Sequence, residues 1–229
     1  MALCFAQVIA APAPAAPFVN LDFEQAQVQP INPNFIVAAT GMPGWTPRIG
    51  GVHIANLDYN SIGIGLPAVS LFDREDTQLG LPIPQGLYYA AVNSGSSVLA
   101  ESLIDQIGDV PSDSRSIEII AYARPLVFLD ETPIELVRIE YPLPGLGFGW
   151  ARFAGDITQM AGQSSVKLTI TSGPAGGGAF DDIRLTSRVI PEPGMTQVLV
   201  VLHIGATVGL RSIRRDGGSD GHRIHHRSS

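Results

Sequence analysis

Val166-Lys167-Leu168-Thr169-Ile170-Thr171 alternates without a fault. Val166, Leu168 and Ile170 share one side of an extended chain, and Lys167, Thr169 and Thr171 share the other. A period of two with β-branched residues on both sides predicts a strand with one buried and one wetted face. The same reading works outward along the chain. Residues 116–124 set Ile117, Ile119 and Ala121 against Glu118, Ile120 and Tyr122. Residues 134–141 alternate less cleanly, and residues 19–24, 62–72, 86–92 and 180–186 complete a set of short apolar stretches. Gly, Pro, Asn, Asp and Ser separate them. Short helical pieces are expected at residues 98–107 and 156–161. The pattern predicts an all-β fold, an antiparallel β-sandwich or barrel.

Composition agrees. The 229 residues carry 18 Pro and 25 Gly and are only 15% charged, which excludes a coiled coil or long helical bundle. A 45% hydrophobic content excludes a disordered chain. The net charge of −7 argues against nucleic acid as the main partner, since phosphate binding needs clustered cations. Cys4 is the only cysteine, so no intramolecular disulfide forms.

The two ends differ from the middle. Residues 1–16 run from an apolar stretch into Ala11-Pro12-Ala13-Pro14-Ala15-Ala16. An apolar run followed by A-x-A spacing is the layout of a secretory signal, although no Lys or Arg precedes it. At the other end, Pro191-Glu192-Pro193 leads into an uncharged, mostly apolar run over residues 195–210, and Arg211, Arg214 and Arg215 follow. Sixteen residues would make a helix of about 24 Å, somewhat short of the ~30 Å hydrocarbon core. Gln197 and His203 interrupt the run. Residues 211–229 hold five Arg and two Asp, a net of +3, against −10 for residues 1–210. Cations just after an apolar run are the positive-inside pattern and leave the acidic part outside. The boundaries that follow are a signal-like segment 1–16, a sandwich domain 17–188, a sorting or anchor segment 189–215 with one hydrophobic helix, and a polar tail 216–229.

Pro191-Glu192-Pro193, an apolar segment and an arginine cluster, in that order, resemble the PEP-CTERM sorting signal of exported bacterial proteins. The resemblance covers residues 189–215. It implies an exosortase-type membrane protease as partner and a transient inner-membrane anchor through residues 195–210. It also implies final delivery to the cell surface or extracellular matrix. The chain departs from the pattern in its interrupted apolar run and in the 14 residues that trail the basic cluster.

A second resemblance covers residues 17–187. Phe18-Val19-Asn20-Leu21-Asp22-Phe23-Glu24 with Pro43-Gly44-Trp45, and Phe180-Asp181-Asp182-Ile183 near the end, resemble the opening and closing segments of galactose-binding-like jelly rolls. That fold implies neighbouring N- and C-terminal strands and, in many members, a structural calcium. Carried over by position, its carboxylates would be Glu24 and Asp181, with Asn20 or Asp22 nearby. Adjacent strand residues point to opposite faces, so only one of Asp181 and Asp182 is expected to face inward.

Motifs for catalysis are missing: the sequence has no H-E-x-x-H, G-x-S-x-G, C-x-x-C or P-loop. His53 is the only histidine between the two ends, and Asp130, Glu131, Glu135 and Glu140 read as solvated carboxylates on strand edges. The leading expectation is a non-enzymatic exported surface or matrix protein. The alternative is a carbohydrate-binding module of the same architecture, with Trp45, Tyr88 and Tyr89 as rings on which a pyranose could stack and polysaccharide as partner. A small polysaccharide-active hydrolase ranks third.

Overall fold

Fifteen short strands divide between two sheets in the computed structural model, which describes residues 16–63, 65–75, 79–95, 100–146, 149–173 and 176–190. In chain order they are β1 (Pro30–Asn32), β2 (Phe35–Val37), β3 (Thr46–Ile49), β4 (Val52–His53), β5 (Asn56–Tyr59), β6 (Ala68–Phe72), β7 (Tyr89–Asn93), β8 (Ser102–Gly108), β9 (Ser116–Ala121), β10 (Leu126–Leu129), β11 (Thr132–Ile134), β12 (Val137–Glu140), β13 (Ala151–Asp156), β14 (Val166–Thr171) and β15 (Gly177–Thr186). The large sheet has the order β1-β2-β5-β6-β7-β15-β9-β13-β12, and the small sheet β11-β10-β14-β8-β3-β4. Every pairing is antiparallel except β5 with β6. The all-β antiparallel sandwich is therefore the observed fold. Helix is confined, among the described residues, to α1 (Ala38–Gly41) and one 3-10 turn at Thr158–Met160, inside the stretch where a helical piece was expected. The C-terminal hydrophobic helix, the sorting motif and the basic cluster lie outside the described residues.

The core follows from strand parity. Ile117, Ile119, Leu168, Ile170, Ile104 and Phe180 point into the space between the sheets and are buried. Each such side chain contributes roughly 1.5–3 kcal/mol by leaving water. The outward face of β9 departs from the expected wetted surface. Ile120 is buried with Phe72, Tyr89, Ala91, Leu143, Trp150 and Ala179 in a second cluster, covered by Leu79, Leu81, Ile83 and Leu146. The middle of the large sheet is thus buried on both faces, which explains why β6, β7 and β9 read as nearly continuous apolar runs.

Two segments differ from the sequence reading. Residues 102–107, within the 98–107 stretch expected to be helical, belong to the seven-residue strand β8, paired with β14 and β3. Residues 19–24, expected to be a strand, form turns. Asn20 and Phe23 adopt positive φ (52° and 60°), and the Asn20 side chain accepts from Gln25 N–H and donates to the Pro43 carbonyl. An Asn that satisfies nearby backbone groups in this way competes with the ladder and bends the chain.

Candidate functional site

Asp181 and Glu24 both accept from backbone N–H groups of the turn at residues 85–88. Asp181 arrives on β15, opposite Ile120. The ladder resumes with Arg184 opposite Glu118, so Asp182 and Ile183 together face the single residue Ile119. This β-bulge, with Asp182 at φ 49°, corrects the parity argument. The extra residue lets Ile183 return to the core while both carboxylates stay on the outer side of the large sheet. Both are buried all the same.

Asp182 is held by cations: Arg184 Nε donates to it at 2.6 Å and Arg152 at 3.3 Å, and Arg152 also reaches Glu118 and Glu140. Among the described residues Asp181 has no such cation. Its Oδ2 accepts from Gln85 N–H at 3.1 Å and its Oδ1 from Asp182 N–H at 2.7 Å. Burial pushes its pKa up to about 8; the two backbone donors oppose the rise, and the charges of Asp182 and Glu24 add to it. Glu24 Oε1 accepts from Leu87 N–H at 2.8 Å and Tyr88 N–H at 3.0 Å. It lies so close over Gly86 that a Cβ there would sit 2.2 Å from the Glu24 carboxyl carbon. Gly86 also has φ +63°, a second reason for glycine.

This geometry bears on two chemistries. A perturbed carboxyl beside a second carboxylate is what acid–base catalysis uses. Here, however, Asp181 is fully buried and both of its oxygens accept from backbone N–H groups, so Asp181 itself is closed to a substrate, while Glu24 is half-buried. For a metal, the donors are hard oxygens of the kind calcium takes. Among the described residues no group of three or more His, Cys, Asp or Glu side chains converges, so further ligands would have to be carbonyls or water.

Two of the three candidate stacking rings are in the interior. Trp45 is buried, donates from Nε1 to the Asn20 carbonyl at 2.9 Å, and stacks on Phe23. Tyr89 is fully buried, stacked on Phe72 at 5.0 Å and edge-on to Trp150. Neither ring can meet a sugar, because the covering of the outer sheet face and the turns at residues 20–25 close over them. Only Tyr88 is half-exposed; Asp73 and Glu24 stand near it, and burial together with their charges raises its pKa. Tyr59 donates to Asp73 close by. Asp130, Glu131, Glu135 and Glu140 are exposed, in keeping with their reading as solvated edge carboxylates.

An open face that the sequence reading did not find lies on the outer side of the small sheet. Register aligns Thr46 with Asp105, Asp105 with Thr169, Thr169 with Phe128 and Phe128 with Pro133, one residue per strand. A second row runs His53, Arg48, Leu103, Thr171, Leu126. Arg48 Nε donates to Asp105 at 2.7 Å. Leu126 and Ile107 are exposed, and Phe128 is half-exposed. The outward residues of β14 were legible in its alternation. Their neighbours on β8 were hidden by the helical reading.

No protein-family model and no curated protein matches this chain. Solved structures with a partly similar chain path include a cyclase from Fischerella sp. TAU (10% identity, 75% of this chain, 95% of that chain, TM-score 0.47). Another is a family 11 carbohydrate-binding module from Clostridium thermocellum in complex with a mixed-linked tetrasaccharide (10% identity, 69% of this chain, 97% of that chain, TM-score 0.36). A third is the enzymatically active domain of a bacteriophage CBA120 tailspike (16% identity, 62% of this chain, 19% of that chain, TM-score 0.34). At these scores they carry no functional argument for this chain.

Proposed function

We propose that this chain is an exported, non-catalytic bacterial surface or matrix protein whose sandwich is delivered by the tail that starts at Pro191-Glu192-Pro193. The supporting observation is a boundary. The last ladder residue is Thr186, and the compact unit containing the sandwich ends at Ile190. A cut near Glu192 would leave every described strand intact. An exosortase-type protease is the partner this reading requires, with residues 195–210 holding the chain in the inner membrane until it acts. Replacing Pro191, Glu192 and Pro193 together by Ala is expected to leave the chain unprocessed and membrane-held. An unchanged mature size and location would refute the reading.

Within the sandwich, Glu24 and Asp181 are proposed as the protein ligands of a structural calcium, supported by Asp181 being a buried carboxyl with no cation partner among the described residues; the ion would displace the proton that burial favours there. Calcium is expected to raise the melting temperature of the unmutated protein, and Glu24→Ala with Asp181→Ala to remove that response.

The small-sheet face favours a second reading, a carbohydrate-binding module. Phe128 offers a half-exposed apolar ring with the Thr169 hydroxyl on the next strand, and the Arg48–Asp105 ion pair and Thr46 lie two to three strands further across the same sheet, a mixture suited to a glycan. If this reading holds, Phe128→Ala and Asp105→Ala lose retention on polysaccharide while Tyr88→Ala keeps it.

A further inference from the structure

Beside β10 and β14 the small sheet carries a cleft of about 500 Å³ lined by Asp130, Glu131, Thr132 and Lys167. Asp130 and Glu131 form the two-residue turn between β10 and β11, where Leu129 pairs with Thr132. Asp130 takes the positive φ (51°) that so tight a turn needs, a conformation Asp tolerates. Its N–H donates to the Lys167 carbonyl at 2.8 Å, and its Oδ1 accepts from Lys167 N–H at 2.9 Å. These two bonds carry the contact of β10 with β14 one step beyond the Leu129–Leu168 pair and fix the turn against Lys167. Lys167, the only lysine of the chain, is exposed and lies opposite the exposed Ile107 of β8. Phe128 and Thr169 sit two residues further along β10 and β14, on the same side of the sheet and about 7 Å away. The cleft is thus continuous with the open face that Phe128 occupies.

We infer that this cleft takes a sugar unit bearing a free amino group, within a polysaccharide that runs across the small-sheet face. The inference rests on the carbohydrate-binding reading above and gives it a ligand class. Charge decides the class. No ion pair among the described residues includes Asp130, Glu131 or Lys167, whereas Arg48, further across the face, is paired with Asp105 at 2.7 Å. The cleft therefore offers two carboxylates and one ammonium to a ligand, a net of −1, in a stretch (residues 1–210) that carries −10. A protonated amino sugar matches this lining. Its ammonium meets Asp130 and Glu131, its ring and hydroxyl oxygens accept from Lys167 and Thr132, and its apolar face lies toward Phe128 and Ile107. A uronic acid or a sulfated sugar would set its negative charge against two carboxylates and gain one ammonium, so the same lining discriminates against it.

The test uses the full chain in detergent and three immobilised polysaccharides: a glucosamine polymer, an uncharged β-glucan and a polyuronate. In mildly acidic buffer the glucosamine amines are protonated while exposed carboxylates stay ionised. Retention on the glucosamine polymer several-fold stronger than on the β-glucan, and none on the polyuronate, is expected. Asp130→Asn with Glu131→Gln should weaken that retention several-fold; both substitutions keep the side-chain shape, and Asn still accepts from Lys167 N–H. Asp113→Asn with Glu75→Gln removes the same charge from exposed positions elsewhere and should leave retention unchanged. Equal weakening by the two pairs would reduce the binding to a general attraction between an acidic chain and a polycation, and would overturn the site. Equal retention on the β-glucan, or a preference for the polyuronate, overturns the ligand class and leaves the carbohydrate-binding reading standing. No retention on any of the three overturns both.

Discussion

Asp181 concentrates the chemistry of this molecule in one side chain. Its folded pKa, about 8, lies above the usual carboxylate range. The folded protein therefore keeps a proton there that the unfolded chain, with a pKa near 3.9, releases. The linked stability is fully present below about pH 4, declines as pH rises, and is lost once pH passes about 8. Denaturation in the presence of a chelator should show this decline, and Asp181→Asn should remove it. A slope unchanged in the variant would place the titration elsewhere. Glu24 and Gly86 supply a second test. Gly86→Ala forces a Cβ onto the Glu24 carboxyl at positive φ and is expected to cost about 1–3 kcal/mol. Part of that cost should disappear when Glu24 is also Ala, as a double-mutant cycle would show. Trp45→Phe keeps a buried ring but leaves the Asn20 carbonyl only the longer bond from Phe23 N–H at 3.3 Å, and is expected to cost about 0.5–1.5 kcal/mol in urea denaturation.

At the scale of elements, legibility followed the periodicity. β14 coincides with the stretch read as Val166 to Thr171, because its two sides really do meet different environments. β9 was placed correctly, but Ile120 was set on a wetted face. Alternation reports only that two faces differ, and a sheet covered on both sides blurs it. Ile120→Ala is therefore expected to cost about 2–4 kcal/mol, as an Ile in a core would. A cost below 0.5 kcal/mol would mean that the outer cover contributes nothing. β8 was missed because Leu103, Ile104 and Ile107 repeat at helical spacing, while its inward Gln106 is satisfied only by the distant Val19 backbone. The bulge in β15 was missed for a similar reason. Nothing in Phe180-Asp181-Asp182-Ile183 announces a doubled residue, although the pair of carboxylates it presents was named from the resemblance. Of the aromatic candidates, ring chemistry was readable and burial was not: Trp45 and Tyr89 are core residues.

For the whole molecule, the acidic sandwich and the basic end of the chain are separate in sequence and in charge. The compact unit ends at Ile190, so a chain stopped there is expected to keep the melting temperature of the full protein within about 2 °C. A large drop would show that the sandwich needs the residues beyond it. The central claim is that this sandwich is cargo and that the segments at its two ends are its address. The most direct test is the intact mass and location of the product made in a host that has its own exosortase. The account predicts a product lacking both ends, close to residues 17–192, outside the inner membrane. A full-length soluble product would contradict it.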